Sequence, residues 1–333
     1  MKNFLTTVDL SRDELESLLA SALKIKSGQD LGRPLEGRSV ALVFFNPSLR
    51  TRASMQVGIY ELGGNPVLLE PGGSSWTLEH LEGVVMDGPK TEHLKEFVRV
   101  LERYVSAIGV RTFAELKDWK LERQDPILTA FADHASVPVI NLESAMHHPC
   151  QAMADMLTIR EKLGNQKKKV LVTWAWHPKP LPMAVPNSFA LAAAQFGHDL
   201  VISHPPGYDL DDDLMAEIHQ QASENGGSVE VKHQASEAFD DVEVVYAKSW
   251  GGKQFYGDAE ADIEYRRDLR TNWIVDDEKM ERTAEAIFMH CLPVRRNVIV
   301  TDSVIDSGRS VVIDQAENRL HVQKAIMADL EMR

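Results

Sequence analysis

Cysteine is scarce: Cys150 and Cys291 are the only two in 333 residues, so no disulfide framework can be built and both thiols are expected to be reduced. No run of about 18 apolar residues occurs, which leaves no candidate for a spanning helix. The start of the chain lacks a basic stretch followed by an apolar core, so no signal peptide is expected and the chain reads as cytoplasmic. Positive charge is also short. Against 50 Asp and Glu stand 36 Lys and Arg, a formal net charge of -14, which argues against nucleic acid or an anionic membrane as partner. Neither the glycine pattern of a nucleotide P-loop nor that of a dinucleotide-binding turn is present at a strand-to-helix junction.

What is present is an ordinary globular composition, 44% hydrophobic and 26% charged. At this length a single core has stopped growing, so two domains with a cleft between them are expected. Asp9, Leu10 and Ser11 precede apolar residues at Leu15, Leu18, Leu19 and Leu23, which predicts a capped helix ending near Gly28. Ser39-Val-Ala-Leu-Val-Phe-Phe45 follows as an apolar run suited to a strand buried on both faces. A second helix is predicted from Asn46-Pro-Ser-Leu-Arg50 to Gly63-Gly64, with Ser48 able to cap it.

The alternation continues. Strands are predicted at Val105–Val110, Pro138–Asn141, Val170–Trp174, Leu200–Ser203, Glu243–Ala247, Ile287–His290 and Val311–Asp314. Helices are predicted at Gln151–Leu163, Ser188–Phe196, Leu214–Glu224 and roughly Ala316–Leu330. The fold class is therefore α/β, with two doubly wound parallel sheets. The expected domains are residues 1–147, residues 148–312, and a C-terminal segment 313–333 packing back on the first.

The densest chemical signal is Phe44-Phe-Asn-Pro-Ser48-Leu49-Arg50-Thr51-Arg52. A strand here delivers hydroxyls, backbone N–H groups and arginines to a helix start, where orphan donors and the helix dipole favour an anion. Arg50 adds a fork matched to phosphate. Taken alone, the same residues read equally well as a surface helix with ordinary arginines. Likewise Arg111 alone reads as a surface arginine and His148 alone as a loop histidine. Cys291 has no adjacent base and is given no covalent role. His147, His148 and Cys150 lack a second ligand cluster at zinc spacing, so no metal is expected.

Ser48-Leu-Arg-Thr-Arg52 resembles the carbamoyl-phosphate loop of the aspartate/ornithine transcarbamylases. His148-Pro-Cys-Gln151 and His290-Cys-Leu-Pro293 resemble two further motifs of that family, in the same order and spacing, and the resemblance runs to Glu317-Asn-Arg319. It implies a reaction without cofactor in which an amine attacks the carbonyl of carbamoyl phosphate, an oxyanion develops and phosphate leaves. It implies that Ser48, Leu49, Arg50 and Thr51 hold the phosphate, with Trp76 and Arg319 contributing. Thr51, Arg111 and His148 would surround the carbonyl oxygen, and Gln151 and the Leu292 carbonyl would hold the carbamoyl NH2. Arg50, Thr51, Arg111 and His148 are thus the expected catalytic set.

Val245-Tyr-Ala-Lys248-Ser-Trp-Gly251 departs from the segment by which ornithine transcarbamylases recognise the free amino acid. With Thr173-Trp-Ala-Trp-His177-Pro-Lys-Pro180 and Pro293-Val-Arg295-Arg-Asn297, it resembles the N-acetylornithine and N-succinylornithine enzymes of arginine biosynthesis. That implies Glu143, His177, Lys248 and Arg295 at the acceptor, and a homotrimer in which Trp76, on Gly72-Gly-Ser-Ser-Trp76, reaches a neighbour's site. The acetyl type carries a Glu in the segment matching Asp87-Gly-Pro-Lys-Thr91-Glu92-His93. Alignment puts Thr91 there, and a one-residue slip would put Glu92 there. Thr91, Lys90 and Ile299 together favour N-succinylornithine, with N-acetylornithine as the alternative. A noncatalytic transcarbamylase-like regulatory or assembly protein would be expected to have lost one of Arg50, Thr51, Arg111, His148 or Gln151, and none is lost. An α/β oxidoreductase is disfavoured by the missing glycine fingerprint.

Overall fold

The structure, a computed structural model, describes residues 1–330. The chain divides into two compact units. The first comprises Met1–Ala114, Lys120–Cys150 and the chain from Arg319 onward; the second comprises Glu115–Trp119 and Gln151–Asn318.

The first unit is built on strands β1 (Ser39–Phe44), β2 (Asn65–Leu69), β5 (Ala107–Arg111) and β6 (Val139–Glu143), all parallel in the order β2-β1-β5-β6. A separate two-residue ladder pairs β3 (Leu78–Glu79) with β4 (Glu92–His93). Helices α1 (Arg12–Lys26), α2 (Arg50–Glu61), α3 (Leu94–Leu101) and α4 (Pro126–His134) accompany the sheet. Ser11 caps α1 by accepting from the Glu14 N–H, and Glu14 reaches back to the Ser11 N–H, a reciprocal box that fixes the start of the helix. Val43, Val98, Ile108, Val110, Phe131 and Val139 share one buried cluster between the sheet and α3 and α4.

The second unit carries β7 (Lys169–Trp174), β8 (Asp199–Ser203), β9 (Ser228–Lys232), β10 (Val244–Lys248) and β11 (Ile287–Met289), parallel in the order β11-β10-β7-β8-β9. Its main helices are α5 (Pro149–Leu163), α6 (Ala184–Gln195), α7 (Asp212–Glu224) and α8 (Ala259–Arg266). All twelve residues of α6 are buried, which accounts for its Ala-rich and uncharged sequence. The boundary between units falls inside α5, after Cys150, and inside α9 (Val312–Asp329), after Asn318.

Three expectations are corrected. Val311–Asp314 is not a strand: a single bridge between Ser310 and Phe288 ends the pairing, and Val312 opens α9, whose first helical bond runs from the Gln315 N–H to the Val311 carbonyl at 2.9 Å. The β-branched run Val311-Val-Ile313 suggested a strand, but tertiary context outweighs that weak preference. Ser48 does not cap α2, whose cap position is Leu49 with no side-chain cap bond. Ile299, counted above with the acyl-recognition residues, is 2% exposed and packs with Val275, Phe288 and Val300 in the apolar core.

Candidate active site

In the first unit, β1 ends at Phe44 and hands the chain through Asn46 and Pro47 to half-buried Ser48, exposed Leu49, and Arg50, the first residue of α2. The Phe113 N–H donates to Asn46 Oδ1 at 2.7 Å, tying this loop to the segment after β5. Thr51 faces inward and is 1% exposed. Its hydroxyl receives Arg111 Nη1 at 3.2 Å and also Arg319 Nη2. Arg111 is the last residue of β5; Arg319 arrives on α9. Helix α9 packs closely on α2 at Gly58, where a Cβ would lie 3.2 Å from Lys324 Cγ and 3.3 Å from Met327 Cε.

Arg111 also pairs with Glu143 Oε2 at 2.6 Å, and its guanidinium sits 4.4 Å above the Phe113 ring. His148 Nε2 lies 3.5 Å from the same Glu143 oxygen. Burial, helped by Arg319 and Arg111, pushes the His148 imidazole well below its ordinary range, so it is neutral at physiological pH. Arg319 is pushed down to about 10, first by burial and then by Arg111, with Arg50 adding to the effect. Three guanidiniums against one carboxylate leave a positive excess in a dry environment. The Nε donors of Arg111 and Arg319 are buried with no hydrogen-bond partner among the described residues. Such an arrangement suits a small dianion.

The turn that delivers His148 is held by Asp125, which sequence reading passed over. Asp125 Oδ1 accepts from the Ala145 N–H at 2.7 Å and the Met146 N–H at 3.3 Å, and Oδ2 accepts from the Ser144 hydroxyl at 2.6 Å. Burial raises its carboxyl to about 6 even though these three bonds oppose the shift. Asn141 braces the same turn through Ser144 Oγ at 3.1 Å and the His147 carbonyl at 3.3 Å.

Trp76, 56% exposed, donates from its indole N–H to Glu92 Oε2 at 2.7 Å. Lys90 does not stand free: its ammonium is 3.0 Å from Glu79 Oε1, and that carboxyl is lowered to about 2 chiefly by the Leu81 N–H, with Lys90 assisting. Thr91 is exposed between them.

In the second unit, Gln151 lies on α5 and is 1% exposed, so the solvent-facing role common at such positions does not apply; Arg319 in the first unit, at 3%, is equally buried. Gln151 Nε2 donates to Asp155 Oδ1 at 2.7 Å, and Gln315 Nε2 donates to the same oxygen at 2.7 Å. Fully buried Tyr246 is held as the phenol by burial and by the charge of Asp155. Gln315 Oε1 accepts the His290 N–H at 3.0 Å, and His290 Nδ1 accepts the Leu292 N–H at 2.9 Å. Leu292 adopts a left-handed φ of 55°, turning the chain at its carbonyl.

His177 follows β7, Lys248 ends β10, and Arg295 lies beyond β11. Arg295 Nε donates to His177 Nε2 at 3.0 Å, while His177 Nδ1 shares a 2.8 Å hydrogen bond with the Lys179 carbonyl. His177 is lowered to about 4, mainly by burial and further by Arg295, Lys248 and Arg266, which keeps it a neutral acceptor for Arg295. Lys248 Nζ donates to the Ser249 carbonyl at 3.0 Å. Arg266, also unforeseen, pairs with Asp262 inside the core. It donates to the carbonyls of Lys179 at 3.0 Å, His177 at 3.3 Å and Trp250 at 3.3 Å, joining the two segments that carry His177 and Lys248. The spacing of Asp262 and Arg266, like that of Gln151 and Asp155, is one helical turn. Polar pairs at that spacing are the available signal.

Residues 2–161 match the carbamoyl-P binding domain of the aspartate/ornithine carbamoyltransferases, and residues 182–330 match their Asp/Orn binding domain. The chain is 48% identical to an N-acetylornithine carbamoyltransferase of Xanthomonas campestris pv. campestris, over 99% of this chain and 98% of that protein. It is 40% identical to an N-succinylornithine carbamoyltransferase of Bacteroides fragilis, over 96% and 95%. A crystal structure of acetylornithine transcarbamylase complexed with acetylcitrulline superposes with a TM-score of 0.96 at 47% identity, covering 99% of each chain. A second, equally similar structure is a glutamate-to-alanine variant of N-acetyl-L-ornithine transcarbamylase complexed with carbamyl phosphate and N-succinyl-L-norvaline, with a TM-score of 0.96, 47% identity and coverage of 99% and 100%.

Proposed function

The chain belongs to the aspartate/ornithine carbamoyltransferase family and is a carbamoyltransferase, and from that premise we propose that it moves the carbamoyl group of carbamoyl phosphate to the side-chain amine of N-acetyl-L-ornithine, in arginine biosynthesis. In this reading Ser48, the Leu49 N–H, Arg50, Thr51 and Arg319 take the phosphate. Arg111, Thr51 and neutral His148 surround the carbonyl oxygen, and Gln151 and the Leu292 carbonyl accept from the carbamoyl NH2. Glu143, His177, Lys248 and Arg295 take the acceptor. Lys248 beside Arg295 and neutral His177 disfavours a free α-ammonium, since a cation brought there meets like charge. Masking the α-amine as an amide removes that conflict. Chemistry then rests on positioning and on donors fixed before the oxyanion forms, without a covalent enzyme intermediate.

The observation that carries acetyl over succinyl is the Glu92 carboxylate held against Trp76 Nε1. If Trp76 serves a neighbouring site in a homotrimer, Glu92 travels with it, and its charge would repel the second carboxylate of a succinyl group. The other supports for succinyl weaken, because Lys90 is already paired with Glu79 and Ile299 is core. The greater identity to the N-acetylornithine enzyme points the same way. A second reading, N-succinyl-L-ornithine as acceptor, keeps the support of Thr91 if that residue, and not Glu92, matches the glutamate of the acetyl type.

The two separate in a citrulline-forming assay on wild type, Glu92→Ala and Thr91→Glu with both acyl substrates. The acetyl reading expects wild type to prefer N-acetylornithine and Glu92→Ala to gain at least tenfold in kcat/KM for N-succinylornithine. A wild-type preference for N-succinylornithine, abolished by Thr91→Glu, would establish the second reading instead.

A further inference from the structure

In the second unit two hydrogen-bonded side-chain arms converge on the buried carboxylate of Asp155. Asp155, 0% exposed on α5, accepts on a single oxygen from the side-chain amides of Gln151 and Gln315, both at 2.7 Å. A carboxylate accepts and never donates, so each amide must present its NH2 to Asp155 and its oxygen elsewhere. For Gln315 that oxygen takes the His290 N–H at 3.0 Å. For Gln151 the oxygen is buried and has no hydrogen-bond partner among the described residues. A buried amide oxygen left unmatched is costly, and a ligand N–H would satisfy it.

We propose that Asp155 is the positioning residue for recognition of the carbamoyl NH2, orienting Gln151 with its oxygen toward the ligand and, through Gln315 and His290, fixing the turn that aims the Leu292 carbonyl. This rests on the reading of Gln151 and Leu292 as the acceptors for that NH2. The carbamoyl NH2 can only donate, and therefore needs two acceptors. An amide side chain free to flip would offer its own NH2 half the time, placing donor against donor. Asp155 removes that state. Its second arm acts on the backbone: Gln315 Oε1 holds the His290 N–H, and the His290 ring in turn holds the Leu292 N–H at 2.9 Å. One carboxylate thereby sets both acceptors through a single oxygen that takes two glutamine amides.

The test compares two stable phosphonates by calorimetry: phosphonoacetamide, which carries the NH2, and acetonylphosphonate, which has a methyl group in its place. Inorganic phosphate serves as control. Wild type should bind the amide at least about tenfold more tightly than the methyl ketone, the scale of one or two hydrogen bonds. Asp155→Leu should bring that ratio close to one while leaving affinity for the methyl ketone and for phosphate within about threefold of wild type. Asp155→Asn, which keeps a carbonyl acceptor and the shape, should restore most of the ratio. If Asp155→Leu does not fold, Gln315→Leu, which releases the His290 N–H, should lower the ratio by about threefold, and an unchanged ratio there would overturn the proposal. A folded Asp155→Leu that keeps the wild-type ratio overturns it as well. Gln151→Leu separates the two levels. If it too keeps the ratio, or if wild type shows no preference, the reading of Gln151 as an acceptor falls; if it loses the ratio while Asp155→Leu keeps it, only the positioning role falls.

Discussion

Replacing Arg111 by methionine tests the anion site through its most connected residue. The methionine stem can keep the contact with Phe113, but the variant loses the guanidinium that lies 2.6 Å from Glu143 Oε2 and 3.2 Å from Thr51 Oγ1. Breaking a buried pair by removing one partner costs about 3–5 kcal/mol, because the other charge stays behind. The lower end applies here, since the Glu143 side chain is 12% exposed and His148 Nε2 remains 3.5 Å away. Activity should fall further than stability. One preorganised donor at a developing oxyanion is worth about 10²–10³ in rate, and Arg111 also balances Arg319-bound anion charge. Arg111→Met should therefore lose at least about a hundredfold in kcat/KM for carbamoyl phosphate while still showing a cooperative thermal transition. Arg111→Lys should recover charge but not the bidentate geometry, and fall between the two. A folded Arg111→Met within about threefold of wild type would refute the placement of the reacting carbonyl beside Arg111.

Stability should rise with pH across the range where buried histidines resist protonation. His147 and His177 are both held near about 4 against an ordinary 6.5, so between those values the unfolded chain binds protons that the folded chain does not. Asp125, raised to about 6 from 3.8, acts in the opposite direction but is one group against several, since His148 and His204 are lowered as well. Melting temperature should climb from about pH 4 to about 6.5 and then level, and a flat or falling profile would contradict the burial of both rings. If sites are shared in a homotrimer, mixing an inactive Trp76→Ala chain with an inactive Arg50→Ala chain should restore part of the activity through hybrid sites. No recovery after verified subunit exchange would count against sharing.

The sheets were legible because their central strands, such as Val40–Phe44 and Val170–Trp174, are short, mainly apolar runs rich in valine, the pattern of strands buried on both faces. The edges were not. Strand β2 at Asn65–Leu69 contains Pro66, a residue that breaks the strand pattern, and it lies at the end of its sheet, where a missing N–H is tolerated. Strand β9 is likewise an edge, and its Val229 and Val231 alternate with Ser228, Glu230 and Lys232 too briefly to stand out. The anion loop was readable from Ser48 to Arg52, whereas its partners Arg111 and Arg319 meet Thr51 from positions 60 and 268 residues away. Local pattern carries no trace of such a meeting. The supports around these residues, Asp125, Asp155 and the Asp262–Arg266 pair, escaped notice for the opposite reason. Charged residues are almost always solvated, and only the fold shows that Asp155, Asp262 and Arg266 are buried and Asp125 half-buried.

The most direct measurement of the central claim follows carbamoyl phosphate labelled at its carbonyl carbon, incubated with enzyme and N-acetylornithine, with product and phosphate quantified together. Carbamoyl transfer predicts that the label appears on the side-chain nitrogen as N-acetylcitrulline, one for each phosphate released, and that free ornithine in its place gives almost none. Phosphate release without labelled product, or free ornithine carbamoylated as readily as its N-acetyl derivative, would contradict the account.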